Sequence, residues 1–133
     1  MLFKLRRYEE ALKAYNAALS INPNDALTLT RKGDVLSRLR RYEEALIACN
    51  QALSISSTHT RTWITKGNVL SKQRRYEEAL VAYDAALAIN TKDVSTWITK
   101  GNVLSKLERY EEALVAYSYC AGYLRHPSAR IGL

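Results

Sequence analysis

Apolar residues recur at intervals of three and four along two kinds of segment in this chain. Between Tyr42 and Ile55 they occupy positions 42, 45, 46, 49, 52 and 53. This spacing predicts an amphipathic helix with one buried face. A second segment, from Thr62 to Gln73, repeats the pattern with Trp63, Gly67, Val69 and Leu70. Together the two segments predict a helical hairpin.

The hairpin pattern repeats every 34 residues. Tyr8, Tyr42, Tyr76 and Tyr110 each open the phrase Tyr-Glu-Glu-Ala-Leu, and residues 40–73 match residues 74–107 at 22 of 34 positions. A fixed period of this length is typical of stacked repeats, in which each unit buries its apolar face against its neighbours. We therefore predict an all-α solenoid over residues 1–124, with a leading half repeat at 1–22, full repeats at about 26–56, 60–90 and 94–124, and a tail at 125–133.

Small residues in register predict where the two helices of a unit approach each other. Glycine inside a helix costs about 1 kcal/mol relative to alanine, so a packing reason is expected for Gly33, Gly67 and Gly101, which are matched by Ala45, Ala79 and Ala113. Short polar segments between hairpins predict helix stops and N-caps. The turn inside each hairpin is predicted near Arg40, Arg74 and Glu108.

The motif Trp-x-x-x-Gly-x-x-Leu at 63–70 and 97–104, with Tyr-x-x-Ala-x-x-x-Tyr at 76–83, resembles the tetratricopeptide repeat (TPR) family over nearly all of residues 1–124. The pentatricopeptide family, with its 35-residue period, is a poorer match. The resemblance implies a right-handed superhelix whose first helices line a concave groove. It also implies a function: non-enzymatic binding of an extended peptide or a partner helix, as part of a larger scaffold.

The resemblance also assigns the residues that would face the groove. They are Leu27, Thr30, Asp34, Ser37, Arg38, Arg61, Ile64, Asn68, Ser71, Lys72, Ser95, Ile98, Asn102, Ser105 and Lys106. Asn68 and Asn102 could bond a peptide backbone, and Arg38, Lys72 and Lys106 would form a basic row suited to acidic side chains. The alternative is that these residues are a solvated face retained by duplication. Lysines 32, 66 and 100 are predicted to cover neighbouring apolar surface rather than to form the site.

A carboxylate clamp, the TPR site for chaperone tails, is disfavoured. It requires lysine, asparagine and arginine at set places on successive first helices, where this chain carries Thr30, Asp34, Thr65, Ser95 and Thr99. Shifting the comparison by one unit recovers only Asn68.

The ends of the array depart from the family pattern. Met1–Leu5 matches only the last part of a first helix, and the residues after Tyr123 are too few for an extra closing helix. We expect either a fragment of a longer array or end-to-end stacking on another copy. The segment Arg125-His126-Pro127-Ser128 predicts a helix stop followed by a loop.

Composition and charge bear on where the protein is found and on the class of partner that it binds. The chain has 133 residues, 47% of them hydrophobic, and a formal charge of +7. Without a long apolar run, we expect a soluble, cytoplasmic protein with no membrane partner. Nucleic acid is a weaker candidate partner, because the positive charges are dispersed and the aromatic residues take core positions.

No motif for catalysis or for a cofactor stands out. The paired glutamates after each repeating tyrosine are read as charges that favour a helix start. His59 and His126 have no metal-ligand spacing, and no glycine-rich phosphate loop occurs. Cys49 and Cys120 lie in different units and are predicted to be free thiols. We therefore expect no enzyme activity, metal or cofactor.

Overall fold

The structure is a computed structural model that describes residues 2–121, and this part of the chain is helical with short connections. The helices are α1 (Leu2–Ile21), α2 (Ala26–Arg38), α3 (Tyr42–Ile55), α4 (Thr60–Lys72), α5 (Tyr76–Ile89), α6 (Val94–Lys106) and α7 (Tyr110–Ala121). The closest packing joins α2 to α3, α4 to α5 and α6 to α7, and α2 also contacts α4. The predicted all-α repeat solenoid is confirmed.

Helix boundaries follow the apolar pattern closely. Helix α3 has the predicted bounds, whereas α4 begins two residues earlier and ends one residue earlier than predicted. The inner turns fall at Arg40, Arg74 and Glu108, which have φ angles of 63°, 61° and 61°. Asp25 and Asp93 accept cap hydrogen bonds from the backbone of Thr28 and Thr96. His59 takes the corresponding place before α4 and makes no side-chain cap bond.

Small residues let the two helices of each hairpin approach, as predicted. A Cβ on Gly67 would lie 2.6 Å from the Tyr83 ring, and one on Gly101 would lie 2.5 Å from the Tyr117 ring. On Gly33 it would lie 2.9 Å from the Cys49 sulfur. The alanines that face these glycines are almost completely buried. One continuous apolar core thus runs through the stacked hairpins.

The first helix differs from the prediction. The family pattern predicts that Met1–Leu5 is the last part of a separate first helix, but from Leu2 onward these residues are continuous with the rest of α1. Leucine, lysine and arginine are good helix formers, and no glycine or proline interrupts the segment. The predicted end of the third repeat at Leu124 and the tail at 125–133 lie outside the described residues.

Both cysteines are free thiols, as predicted. Cys49 is completely buried under α2, and this burial raises the pKa of its thiol to about 12. Because the reactive form of cysteine is the thiolate, burial disfavours reaction at Cys49 in the folded chain.

Candidate functional site

An open groove runs across the first helices of the three hairpins, α2, α4 and α6, and has a volume of about 390 Å³. We call it the inner groove. The predicted residues that line it are Asp34, Ser37, Arg38, Asn68, Ser71, Lys72, Asn102 and Lys106. Spacing of 34 residues brings them together, because each hairpin presents the same helix face to the same side of the stack.

Two asparagines of the inner groove are held by tyrosines of the second helices. The Tyr83 hydroxyl donates to Asn68 Oδ1 at 2.5 Å, and the Tyr117 hydroxyl donates to Asn102 Oδ1 at 2.6 Å. Each bond occupies an acceptor and leaves the amide NH₂ group as a donor for a ligand carbonyl. Burial raises the pKa of Tyr83 further above its ordinary value, which favours the protonated, donating hydroxyl.

The three side chains of the predicted basic row differ in the contacts that they already make within the protein. Arg38 lies 3.5 Å from Asp34 and donates to the Tyr8 hydroxyl at 3.5 Å. That bond, helped by the Asp34 charge, raises the pKa of Arg38. Lys106 lies over the Tyr76 ring, with Nζ 5.8 Å from the ring centroid. Lys72 is exposed and has no carboxylate within 4.0 Å among the described residues, which makes it the cation of the row most open to a ligand.

A smaller cleft of about 200 Å³ adjoins the inner groove at its α2 end. Leu27, Asp34 and Arg61 line it with accessible side chains. Thr30 also lines the cleft but is only 2% exposed. Its hydroxyl donates to the Ala26 carbonyl at 2.9 Å and shares a hydrogen bond of 2.7 Å with Thr62. Thr30 therefore joins α2 to α4 and has little to offer a ligand.

Four predicted groove residues line neither cavity. Ile64, Ser95, Ile98 and Ser105 lie on α4 and α6, but the inner groove passes beside them. Ser95 donates its hydroxyl to Asp93 Oδ1 at 2.9 Å, so it belongs to the cap of α6.

Sequence reasoning missed three residues of the inner groove. Thr99 and Val103 lie on α6, and Tyr83 comes from the second helix of its hairpin. Thr99 precedes Asn102 by three positions, so helical spacing could have found it. Tyr83 could not be found in this way, because its hydroxyl reaches the groove across Gly67, a contact that only the packed hairpin creates.

The described residues contain no group of three histidine, cysteine or carboxylate side chains arranged to hold a metal ion. Between residues 2 and 121, no helix is both long enough and apolar enough to span a membrane.

Family models described as tetratricopeptide repeat match residues 1–25, 24–92 and 94–120. The chain belongs to the tetratricopeptide repeat family. In this TPR array the inner groove is lined mainly by residues of α2, α4 and α6. No curated protein matches it in sequence.

Solved structures show the same fold. A crystal structure of MamA aligns with a TM-score of 0.80 and 20% identity, covering 86% of this chain and 67% of that one. MamA from Desulfovibrio magneticus RS-1 aligns with a TM-score of 0.81 and 18% identity, covering 91% and 68%. The first TPR of Spaghetti (RPAP3), bound to the HSP90 peptide SRMEEVD, aligns with a TM-score of 0.75 and 21% identity, covering 80% and 86%.

Proposed function

We propose that this TPR array is a non-enzymatic interaction module that binds an extended acidic segment of a partner protein in the inner groove, as part of a larger cytoplasmic scaffold. The observation that carries the proposal is the convergence of Lys72, Lys106, Asn68 and Asn102 in one groove. The amide groups can hold peptide carbonyls, while the lysines attract acidic side chains. Exposed charges of this kind steer and orient a ligand more than they supply affinity.

A structural neighbour supports a peptide ligand. The RPAP3 repeat was solved with the peptide SRMEEVD, which carries three acidic residues. In the present chain the positions of a carboxylate clamp hold other residues, and two of them, Thr30 and Thr65, are buried. We therefore propose that this groove reads acidic side chains along the peptide rather than its terminal carboxylate.

The test compares the peptide SRMEEVD in three forms: unmodified, with an amidated C-terminus, and with its acidic residues replaced by Gln and Asn. Binding is measured by calorimetry at low and moderate salt. We expect the neutral form to bind more weakly, and Lys72→Ala to weaken the acidic forms by about fivefold, which is the value of one exposed charge pair. Amidation should change the Kd little.

Lys92→Ala is the matched control, because Lys92 is an exposed lysine in the connection between α5 and α6, away from the inner groove. Equal affinity of Lys72→Ala and the parent chain would contradict the inner-groove assignment. A large loss on amidation would indicate a terminal-carboxylate site instead.

Self-association is a second candidate function. Tyr110 and Leu114 are 64% and 67% exposed on α7, so this helix presents an apolar face. A mass that rises with concentration in sedimentation experiments, and no longer rises in Leu114→Lys, would support association through α7. A mass independent of concentration would exclude it.

A further inference from the structure

A second groove lies between α3 and α5, over α4, and has a volume of about 280 Å³. We call it the outer groove. Its lining includes Leu46, Asn50, Trp63, Lys66, Leu70 and Val81, and it shares no residue with the inner groove. Val81 is 67% exposed. The outer groove is therefore a largely apolar trough whose wall also carries the ammonium group of Lys66 and the ion pair of Arg75 and Glu78.

The ammonium group of Lys66 lacks the partner that its counterpart has. Lys66 and Lys100 are one period apart, and each lies over a tryptophan three residues earlier, with Nζ to ring-centroid distances of 5.6 and 5.3 Å. Lys100 also pairs with Asp84 at 2.7 Å. The residue one period before Asp84 is Asn50, which has no charge to offer Lys66.

The carboxylate of Glu78 also lines the outer groove, and its pKa is lowered mainly by hydrogen bonding to Arg75 and to a smaller extent by the charge of Lys66. Both oxygens of Glu78 accept hydrogen bonds from the Arg75 guanidinium, each at 2.8 Å. Such bidentate pairs are the stronger and geometrically more specific kind. Among the described residues no carboxylate lies within 4.0 Å of Lys66.

The tryptophan beside Lys66 has no aromatic ring stacked on it within residues 2–121. Tyr119 stacks on Trp97 with ring centroids 4.3 Å apart. The residue one period before Tyr119 is Ala85, so a methyl group stands where the third hairpin has an aromatic ring. Lys66 and Trp63 thus lack the two partners of their counterparts, since Lys100 receives an acid from Asp84 of α5 and Trp97 receives a ring from Tyr119 of α7.

We propose that the outer groove binds an acidic segment of a partner protein, with an aspartate or glutamate paired to Lys66 and an adjoining apolar side chain against Trp63 and Val81. The charge of Lys66 selects the acid, and Asp84 shows where a carboxylate sits against the equivalent lysine. The outer-groove proposal stands independently of ligand binding in the inner groove.

The probe is the blocked tripeptide acetyl-Phe-Asp-Leu-amide, titrated to about 10 mM into the ¹⁵N-labelled chain because a ligand of this size binds in the millimolar range. The readout is the indole N–H resonance of Trp63, assigned with Trp63→Phe. We expect this resonance to shift on titration. The Asn counterpart of the tripeptide should bind at least about fivefold more weakly, as expected for loss of one charge pair.

Two variants separate the charge from the shape of the groove. Asn50→Asp supplies Lys66 with the internal partner that Lys100 has, so it should weaken the probe about fivefold, whereas uncharged Asn50→Gln should leave its Kd within about twofold. Lys66→Met keeps the apolar stem and should also lose the probe. Circular dichroism checks that each variant is folded.

Each result of the titrations either supports or overturns binding of the acidic segment in the outer groove. A Trp63 resonance that does not move, or that moves equally with the Asn tripeptide or in Lys66→Met, overturns the outer-groove proposal. Loss of the Trp63 shift in Lys72→Ala would place the acid in the inner groove and would also overturn it. Retention of the shift in Lys72→Ala, with loss in Lys66→Met, supports an outer-groove site whatever the inner groove binds.

Discussion

At the scale of single residues, a tyrosine ring fills the space that a glycine leaves in the second and third hairpins. Tyr83 is completely buried beside Gly67, and its hydroxyl reaches Asn68 on the groove side of α4. The first hairpin has Cys49 beside Gly33 and carries Asp34 in place of the asparagine. One pair of positions therefore couples helix packing to the chemistry of the inner groove.

We expect Gly67→Ala to lower the free energy of unfolding by about 1–3 kcal/mol, the usual cost of an added methylene in a well-packed core. Alanine is the better helix former by about 1 kcal/mol, but its Cβ would lie 2.6 Å from a ring that cannot move away in the core. Urea denaturation measures the change. Gln51→Ala, at an exposed position of α3, is the control. An unchanged or raised stability of Gly67→Ala would contradict the packing argument.

At the scale of elements, the three inner turns share one C-cap motif. The backbone N–H groups of Arg40 and Arg41 donate to the carbonyls of Ser37 and Leu36, and the same pair of bonds recurs one and two periods later. This is the Schellman arrangement, which normally places glycine at the left-handed position. Here that position holds Arg40, Arg74 or Glu108 at a φ near 60°. A left-handed conformation costs a non-glycine residue roughly 1–2 kcal/mol.

We expect Arg74→Gly to raise the free energy of unfolding by about 1 kcal/mol, because relief of the backbone strain exceeds the greater freedom of glycine in the unfolded chain. Thermal and urea denaturation would show the gain. Arg74→Ala is the matched control: it removes the same side chain, keeps the strain and should be close to neutral. Equal gains in the two variants would mean that the arginine side chain, rather than the backbone, is unfavourable.

At the scale of the whole molecule, the exposed fraction of the same leucine differs from one repeat to another, because it depends on the helices packed against it. Leu46 and Leu80 are 8% and 7% exposed, whereas Leu114, at the equivalent position of α7, is 67% exposed. Identical residues in a repeat array therefore contribute differently, because each hairpin is stabilised by the interface with the next.

We expect Leu80→Ala to cost about 2–5 kcal/mol of stability, as is usual for a buried leucine. Leu114→Ala should cost less than about 1 kcal/mol, as is usual for surface substitutions. The pair forms its own control, since both variants make the same chemical change in the same repeated phrase. Similar losses in chemical denaturation would show that α7 is covered in solution.

The sequence by itself determined the architecture of this protein. A 34-residue period, apolar positions three and four apart, and glycine in register with alanine require stacked helical hairpins, because each unit can bury its apolar face only against the next. The inner turns follow from the same pattern. The residues facing the groove were assigned by the resemblance to the TPR family, and most residues of the inner groove are among them.

Tertiary structure decided which of those side chains are available and what they do. Thr30 and Asn68 both lie on the groove-lining helices, but their side chains differ in availability. The Thr30 hydroxyl is hydrogen-bonded to Thr62 between α2 and α4, whereas Asn68 is exposed and only its Oδ1 is occupied, by the Tyr83 hydroxyl. Lys66 and Lys100 have identical local sequences, but of the two only Lys100 forms an ion pair among the described residues, with Asp84 of the preceding helix α5. These differences depend on residues far along the chain, so they arise only when the hairpins pack together.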